Sequence, residues 1–196
     1  MKRKRIRRHW FGLVVLALLL GGQPLLAHFD TPDSSSYGKV TLQAMQLTSF
    51  VGHLRGMAYG PFREGQSPEL GIYPTLGEVR QDMPLLRMVA NGIRTYGCQH
   101  LETVVTATQE TSLPLALGAW LSGDSGADRA EIECAVSQAQ ANPHIASLVV
   151  GNESVLRGQL TATEVCSYTQ EVRQRTGLPV TTAEPWHVWV DHPDLA

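Results

Sequence analysis

The sequence predicts an α/β fold, a partial barrel of parallel strands each followed by a helix, and three observations lead there. From Gly56 onward, short apolar runs with β-branched residues alternate strictly with segments of helical periodicity, a pattern that implies parallel strands joined by right-handed crossovers. An open doubly wound sheet would alternate in the same way. It usually carries a glycine-rich phosphate turn after its first strand, however, and Gly60-Pro61-Phe62-Arg63-Glu64-Gly65 lacks the GxGxxG spacing. Finally, the run Ile145 to Val150 stops at Gly151-Asn152-Glu153, which puts a carboxylate at the carboxyl end of a core strand, where parallel α/β folds carry their chemistry.

The elements follow in order. Met57 to Pro61 reads as the first strand, and a long Gly- and Pro-rich loop then runs to Pro74. Thr75-Leu76-Gly77-Glu78 is a capping box, and Val79, Met83, Leu86 and Ala90 follow at helical spacing, with Gly92 closing the helix. Ile93 to Tyr96 is the second strand, and Leu101, Val104, Val105 and Thr108 mark the second helix. Pro114 introduces a third strand, Leu115 to Leu121. Ile132, Ala135, Val136 and Ala139 share one face of the next helix, which Pro143 ends before the strand that leads to Glu153. Thr161-Ala162-Thr163-Glu164 is a second capping box, so Glu153 is not needed as a helix cap. Val165, Tyr168 and Val172 line that helix, Gly177 stops it, and Leu178 to Ala183 is the fifth strand. Asp191 onward reads as the start of a further helix.

At the amino terminus a basic cluster, Lys2 to Arg8, precedes an apolar run from Trp10 to Leu20 that is short for a membrane span. Residues 1–27 are read as a signal peptide with Ala27 as the cleavage point, or as an uncleaved anchor giving membrane attachment. On either reading the rest is exported, to face the periplasm or the outside. The Arg7-Arg8 pair alone does not argue for the twin-arginine route. Residues 28–55 form a linker and approach segment rich in polar turn residues, and residues 56–196 form the barrel.

Most of the basic excess sits in the leader, so the remainder is acidic. That excludes nucleic acid as a partner and suits a neutral, hydroxyl-rich ligand. Cys98, Cys134 and Cys166 are odd in number and have no close pair, so they indicate neither a zinc site nor a disulfide framework. They are read as core thiols, with one disulfide among them left open in an oxidising compartment. The histidines are scattered, and a metal is not expected.

Residues ending the predicted strands suit a sugar groove: Tyr59, Arg63, Arg94, Tyr96, Trp120, Asp124, Glu184 and Trp186. Aromatic rings stack on apolar sugar faces while charged groups bind hydroxyls. A bland alternative stands beside this one, with Trp120 and Tyr96 as core residues and Arg94 paired to a barrel carboxylate. Asn152-Glu153-Ser154 fits the N-glycosylation pattern, but its predicted place in a cleft argues against that use.

Val149-Val150-Gly151-Asn152-Glu153, with Leu156-Arg157 behind it, resembles the acid/base motif of glycoside hydrolase family 17, the β-1,3-glucanases and β-1,3-glucanosyltransferases. Four further blocks resemble bacterial members in the same order and at similar spacing: Met57 to Pro68, Ile93 to Tyr96, Gly118 to Leu121 and Val180 to Trp186. The resemblance implies a (β/α)8 TIM barrel, a β-glucan substrate, no cofactor, Glu153 as proton donor and Asn152 on a sugar hydroxyl. It also implies a nucleophilic glutamate on the seventh strand. A complete barrel takes about 250 residues, so with about five of eight β/α units counted the sequence reads as the amino-terminal part of a family member, expected to be poorly folded and close to inactive alone. Glu184 is read as a subsite residue or a structural hydrogen-bond partner rather than as the nucleophile. A non-catalytic or vestigial glucan-binding protein is the competing reading, and hydrolysis and glucanosyl transfer are both open.

Overall fold

A computed structural model describes residues 53–195; the expected leader and most of the expected linker lie outside the described residues. Five strands form one sheet in the order β1 (Met57–Ala58), β2 (Ile93–Arg94), β3 (Leu115–Ala119), β4 (Ile145–Asn152) and β5 (Val180–Ala183), every neighbouring pair parallel. A doubly wound sheet reverses its strand order at a switch point. Here the order is sequential throughout, as in consecutive staves of a TIM barrel.

Four helices form the connections, α1 (Leu76–Val89), α2 (Glu102–Glu110), α3 (Ser125–Ala141) and α4 (Ala162–Thr176), and a short α5 (Trp186–Asp191) follows β5. Both capping boxes form: Thr75 Oγ1 accepts from the Glu78 amide while Glu78 Oε2 accepts from the Thr75 amide, and Thr161 and Glu164 repeat the exchange. Each satisfies two of the orphan donors that open a helix. The predicted inward faces are buried: Val79, Met83 and Leu86 on α1, Val104, Val105 and Thr108 on α2, Ile132, Ala135 and Val136 on α3, Val165 and Val172 on α4. The apolar ones close over Leu115, Leu117, Leu148 and Val150, except Val165, which packs with Ala162, Val188 and Leu195; this apolar layer supplies the main driving force for folding.

Several expected boundaries move. The first, second and third strands are shorter than the apolar runs, because their last residues leave the ladder to shape the rim; the fifth starts two residues late, at Val180, and β4 extends two residues beyond Val150. Gly92 does not cap α1; Ala90 ends it in an extended conformation. A side chain at Gly92 would instead place its Cβ 3.0 Å from the Pro114 carbonyl, so the glycine serves close strand approach. The last helix begins at Trp186, not Asp191, and a 3-10 turn spans Pro193–Leu195. Leu54, inside the expected linker, already bridges to Ala90.

The core-thiol reading is corrected for two of the three cysteines: Cys98 and Cys134 form a disulfide, and Cys166 is free. The partners lie 36 residues apart in sequence. They meet because α3 packs behind β3 and beneath the loop that leaves β2.

Candidate active site

The tip of β4 is a tight double turn. Gly151 and Glu153 both have positive φ, 84° and 56°. A Cβ at Gly151 would sit 3.2 Å from both Ser154 Oγ and Thr182 Oγ1, so the strand needs glycine there for space as well as for conformation. The Glu153 amide donates to the Ala183 carbonyl at 2.7 Å and its carbonyl accepts from Arg157. Buried Ser154 donates its hydroxyl to the Leu121 carbonyl. The backbone is thus pinned on both sides while the Glu153 side chain is exposed.

Around it lies an open cavity of about 330 Å³ lined by Arg94, Tyr96, Asn152, Glu153, Ala183, Glu184 and Pro185. Five of the predicted site residues, from β2, β4 and β5, therefore converge at one rim. Arg94 donates to Asn152 Oδ1 at 2.7 Å, which fixes the amide's orientation, and its guanidinium lies 5.1 Å from the Tyr96 ring centroid. Burial pulls the Arg94 pKa below its ordinary value, opposed by Tyr96 and the charge of Glu153. Its Nε is buried without a hydrogen-bond partner among the described residues. Arg94 therefore pairs with an amide rather than a barrel carboxylate.

Glu184 shares the cavity but spends its oxygens on backbone, accepting from the amides of Val155 at 2.9 Å and Leu156 at 3.3 Å. It anchors the turn that follows Glu153. Trp120 and Tyr96 are exposed rather than core residues, at 39% and 42%, and Trp186 stands 77% exposed just past Pro185. Trp120 lies beneath Arg157, whose Cζ is 4.4 Å from the ring centroid. Arg157 in turn donates to the carbonyls of Asn152 and Leu121.

Trp120, Trp186, Asp124, Arg63 and Tyr59 do not line this cavity. Arg63 forms a bidentate pair with Asp82 of α1, at 2.7 and 2.9 Å, and donates to the Glu78 carbonyl. Tyr59 is buried and donates its hydroxyl to the same carboxylate at 2.5 Å; burial first, and Asp82 second, hold its pKa far above the usual phenol value. Together they tie the β1 loop to α1. Asp124 is the N-cap of α3, accepting from the amides of Gly126 and Ala127. Among the described residues no cluster of His, Cys, Asp or Glu is arranged for a metal ion. A second cavity, about 400 Å³, opens among the amino ends of the strands between Arg55, Met57, Pro114 and Ser147; it holds no carboxylate and lies away from the end where such folds do chemistry.

Sequence reasoning gave Glu131 no role. This α3 carboxylate accepts from the amides of Cys98 at 2.8 Å, Gln99 at 3.2 Å and Trp120 at 3.1 Å. Burial raises its pKa despite those three donors. Its only signal in the sequence was a helical position three residues before Cys134.

Known proteins resemble this chain in sequence and in fold. Two curated relatives, both named probable beta-glucosidase btgE, come from Neosartorya fischeri and Aspergillus terreus. The first is 26% identical over 156 residues, covering 72% of this chain and 26% of the relative. The second is 28% identical over 144 residues, covering 68% and 25%, so the chain spans about a quarter of their length. A solved structure, an active-site mutant of Rhizomucor miehei beta-1,3-glucanosyltransferase in complex with laminaritriose, superposes with a TM-score of 0.56 at 23% identity, covering 67% of this chain and 49% of that one. At that identity the likeness shows the fold. Residues 56–196 match the model of the BtgE/BtgC glycoside hydrolase domain, the stretch that carries all five strands and the Glu153 rim, and the chain belongs to that family.

Proposed function

We propose that the chain forms part of the active cleft of an exported glycoside hydrolase of family 17 that acts on β-1,3-glucan with retention of configuration. Glu153 donates the proton to the departing sugar oxygen. The observation that carries this reading is the exposed Glu153 carboxylate at the carboxyl rim of β4, beside Asn152, Arg94 and Tyr96 in one open cavity. Retaining cleavage uses two carboxyl groups about 5–5.5 Å apart, one as acid and one as nucleophile. Glu184 is committed to two backbone amides, so the nucleophile is assigned to a barrel strand later than β5. Asn152, oriented by Arg94, presents its amide nitrogen to a sugar hydroxyl, and Tyr96, Trp120 and Trp186 offer stacking faces. The glucan substrate is supported by the laminaritriose in the neighbouring structure. Export is supported by the basic-then-apolar amino terminus and by the Cys98–Cys134 disulfide.

A second reading, glucan binding without cleavage, is favoured by the commitment of Glu184, which leaves Glu153 as the one uncommitted carboxylate lining this cavity. Incubating the full-length gene product with laminarin and analysing the products separates them. Release of sugars, reduced about 10²–10⁴-fold in Glu153→Gln, is the expected result. Binding without release establishes the second reading, and neither binding nor release rejects both. If laminaritriose is transferred to longer products rather than hydrolysed, the enzyme is a glucanosyltransferase using the same acid.

A further inference from the structure

Glu131 is an unusual expenditure for a helix facing a rim. Its carboxylate lies on α3 and accepts three backbone amides from two different loops: Cys98 and Gln99 after β2, and Trp120 after β3. Cys98 is tied a second time, covalently, to Cys134, one helical turn beyond Glu131 on the same face of α3. The two loops held in this way carry Tyr96 and Trp120, both exposed; Tyr96 lines the Glu153 cavity, and Trp120 lines a neighbouring one with Tyr96 and Glu131. From Trp120 the contacts continue: its ring carries the Arg157 guanidinium, and Arg157 donates to the Asn152 carbonyl, one residue before Glu153. A connected set of contacts therefore runs from Glu131 through Trp120 and Arg157 to the tip of β4.

We propose that Glu131 is a positioning residue for carbohydrate recognition: by binding the Trp120 amide it fixes where the Trp120 ring stands at the rim, with the Cys98–Cys134 disulfide as its covalent second tie. The sugar in this statement rests on the glucan reading above; the setting of the ring does not. A carboxylate that accepts from charged-to-neutral pairs of this kind contributes more than a neutral acceptor, and removing it strands three amides whose partners are lost together. The Trp120 ring then loses its fixed base, and any stacking contact it makes is weakened.

The test uses the full chain and the variants Glu131→Ala, Glu131→Gln, Glu131→Asp and Trp120→Phe. Trp120 emission is isolated as the difference between each protein and its counterpart carrying Trp120→Phe. Glu131→Ala is expected to red-shift that emission and raise its quenching by acrylamide. Glu131→Gln restores it, because a single amide oxygen can accept from both Cys98 and Trp120 as Oε2 does. Should Glu131→Ala fail to fold, Glu131→Asp, shorter by one methylene, is expected to give the same shift at smaller size. Affinity for laminarihexaose falls about three- to tenfold in Glu131→Ala, and in a Trp120→Ala background the same change has no further effect. An unchanged Trp120 emission in folded Glu131→Ala or Glu131→Asp, or an equal loss of affinity with and without Trp120, overturns the proposal and leaves Glu131 a stability residue. If the parent binds no glucan, the glucan reading fails, and the emission result alone decides whether Glu131 sets the ring.

Discussion

Glu153 occupies backbone space that side chains other than glycine and asparagine avoid, at φ 56°, and a residue in that region costs about 1–2 kcal/mol. Glu153→Gly should therefore stabilise the fold by about 1 kcal/mol, seen as a higher denaturation midpoint, while removing the acid; Glu153→Gln should leave the midpoint unchanged. His144 gives a second residue-scale expectation. Its Nε2 meets Thr108 Oγ1 at 3.1 Å, its Nδ1 is buried without a partner among the described residues, and burial lowers its pKa. A histidine whose native pKa lies below its unfolded value binds fewer protons when folded, so stability falls as pH drops from the ordinary histidine range toward the depressed one. Urea midpoints measured down that range should decline, and less so in His144→Gln. At this scale the sequence made Glu153, Asn152, Arg94 and Tyr96 legible, because each ends a recognisable apolar run. Arg63 and Tyr59 misled for the opposite reason. Their partner, Asp82, sits on the solvent-leaning side of a helix 19 residues past Arg63, and only the packed fold brings the three together.

At the scale of elements, local chemistry was readable and distant chemistry was not. Both capping boxes are four-residue signals, and both form. The helix after β5 was expected at Asp191 rather than Trp186 because Trp186-His187-Val188-Trp189-Val190 is composed of weak helix formers; its start is set by Pro185, whose carbonyl accepts from Val188, and by the Trp189 indole donating to the Glu184 carbonyl. The disulfide escaped because nothing local links a loop cysteine to one on α3. Closing a loop of this length is worth about 2–4 kcal/mol, chiefly through the unfolded chain. Replacing Cys98 and Cys134 by alanine should lower stability by that amount in urea titrations, and reductant should lower the parent toward the variant while leaving the variant unmoved.

Across the whole molecule, the sheet is unevenly built. β3 and β4 pair along their length, from Leu115 with Ile145 to Ala119 with Val150, whereas β1 meets β2 only at Met57 with Ile93 and Ala58 with Arg94. Leu115, Leu117, Leu148 and Val150 are also shielded completely. Hydrogen exchange should accordingly be slowest for the β3 and β4 amides and fastest for β1, the ladder opening from its short edge inward; uniform protection across the five strands would contradict this. Alternation of strand and helix made the parallel strands legible, since each unit brings its own local pattern; their sequential order needed the missing GxGxxG turn as well. The bracket formed by Glu131 and the Cys98–Cys134 bond has a consequence beyond the rim it braces. Its covalent half exists only where thiols are oxidised. With both thiols reduced, the loop after β2 would be held by amides alone, and its groove would take final form only once the pair is oxidised: for this protein, an electron acceptor acts as a folding reagent.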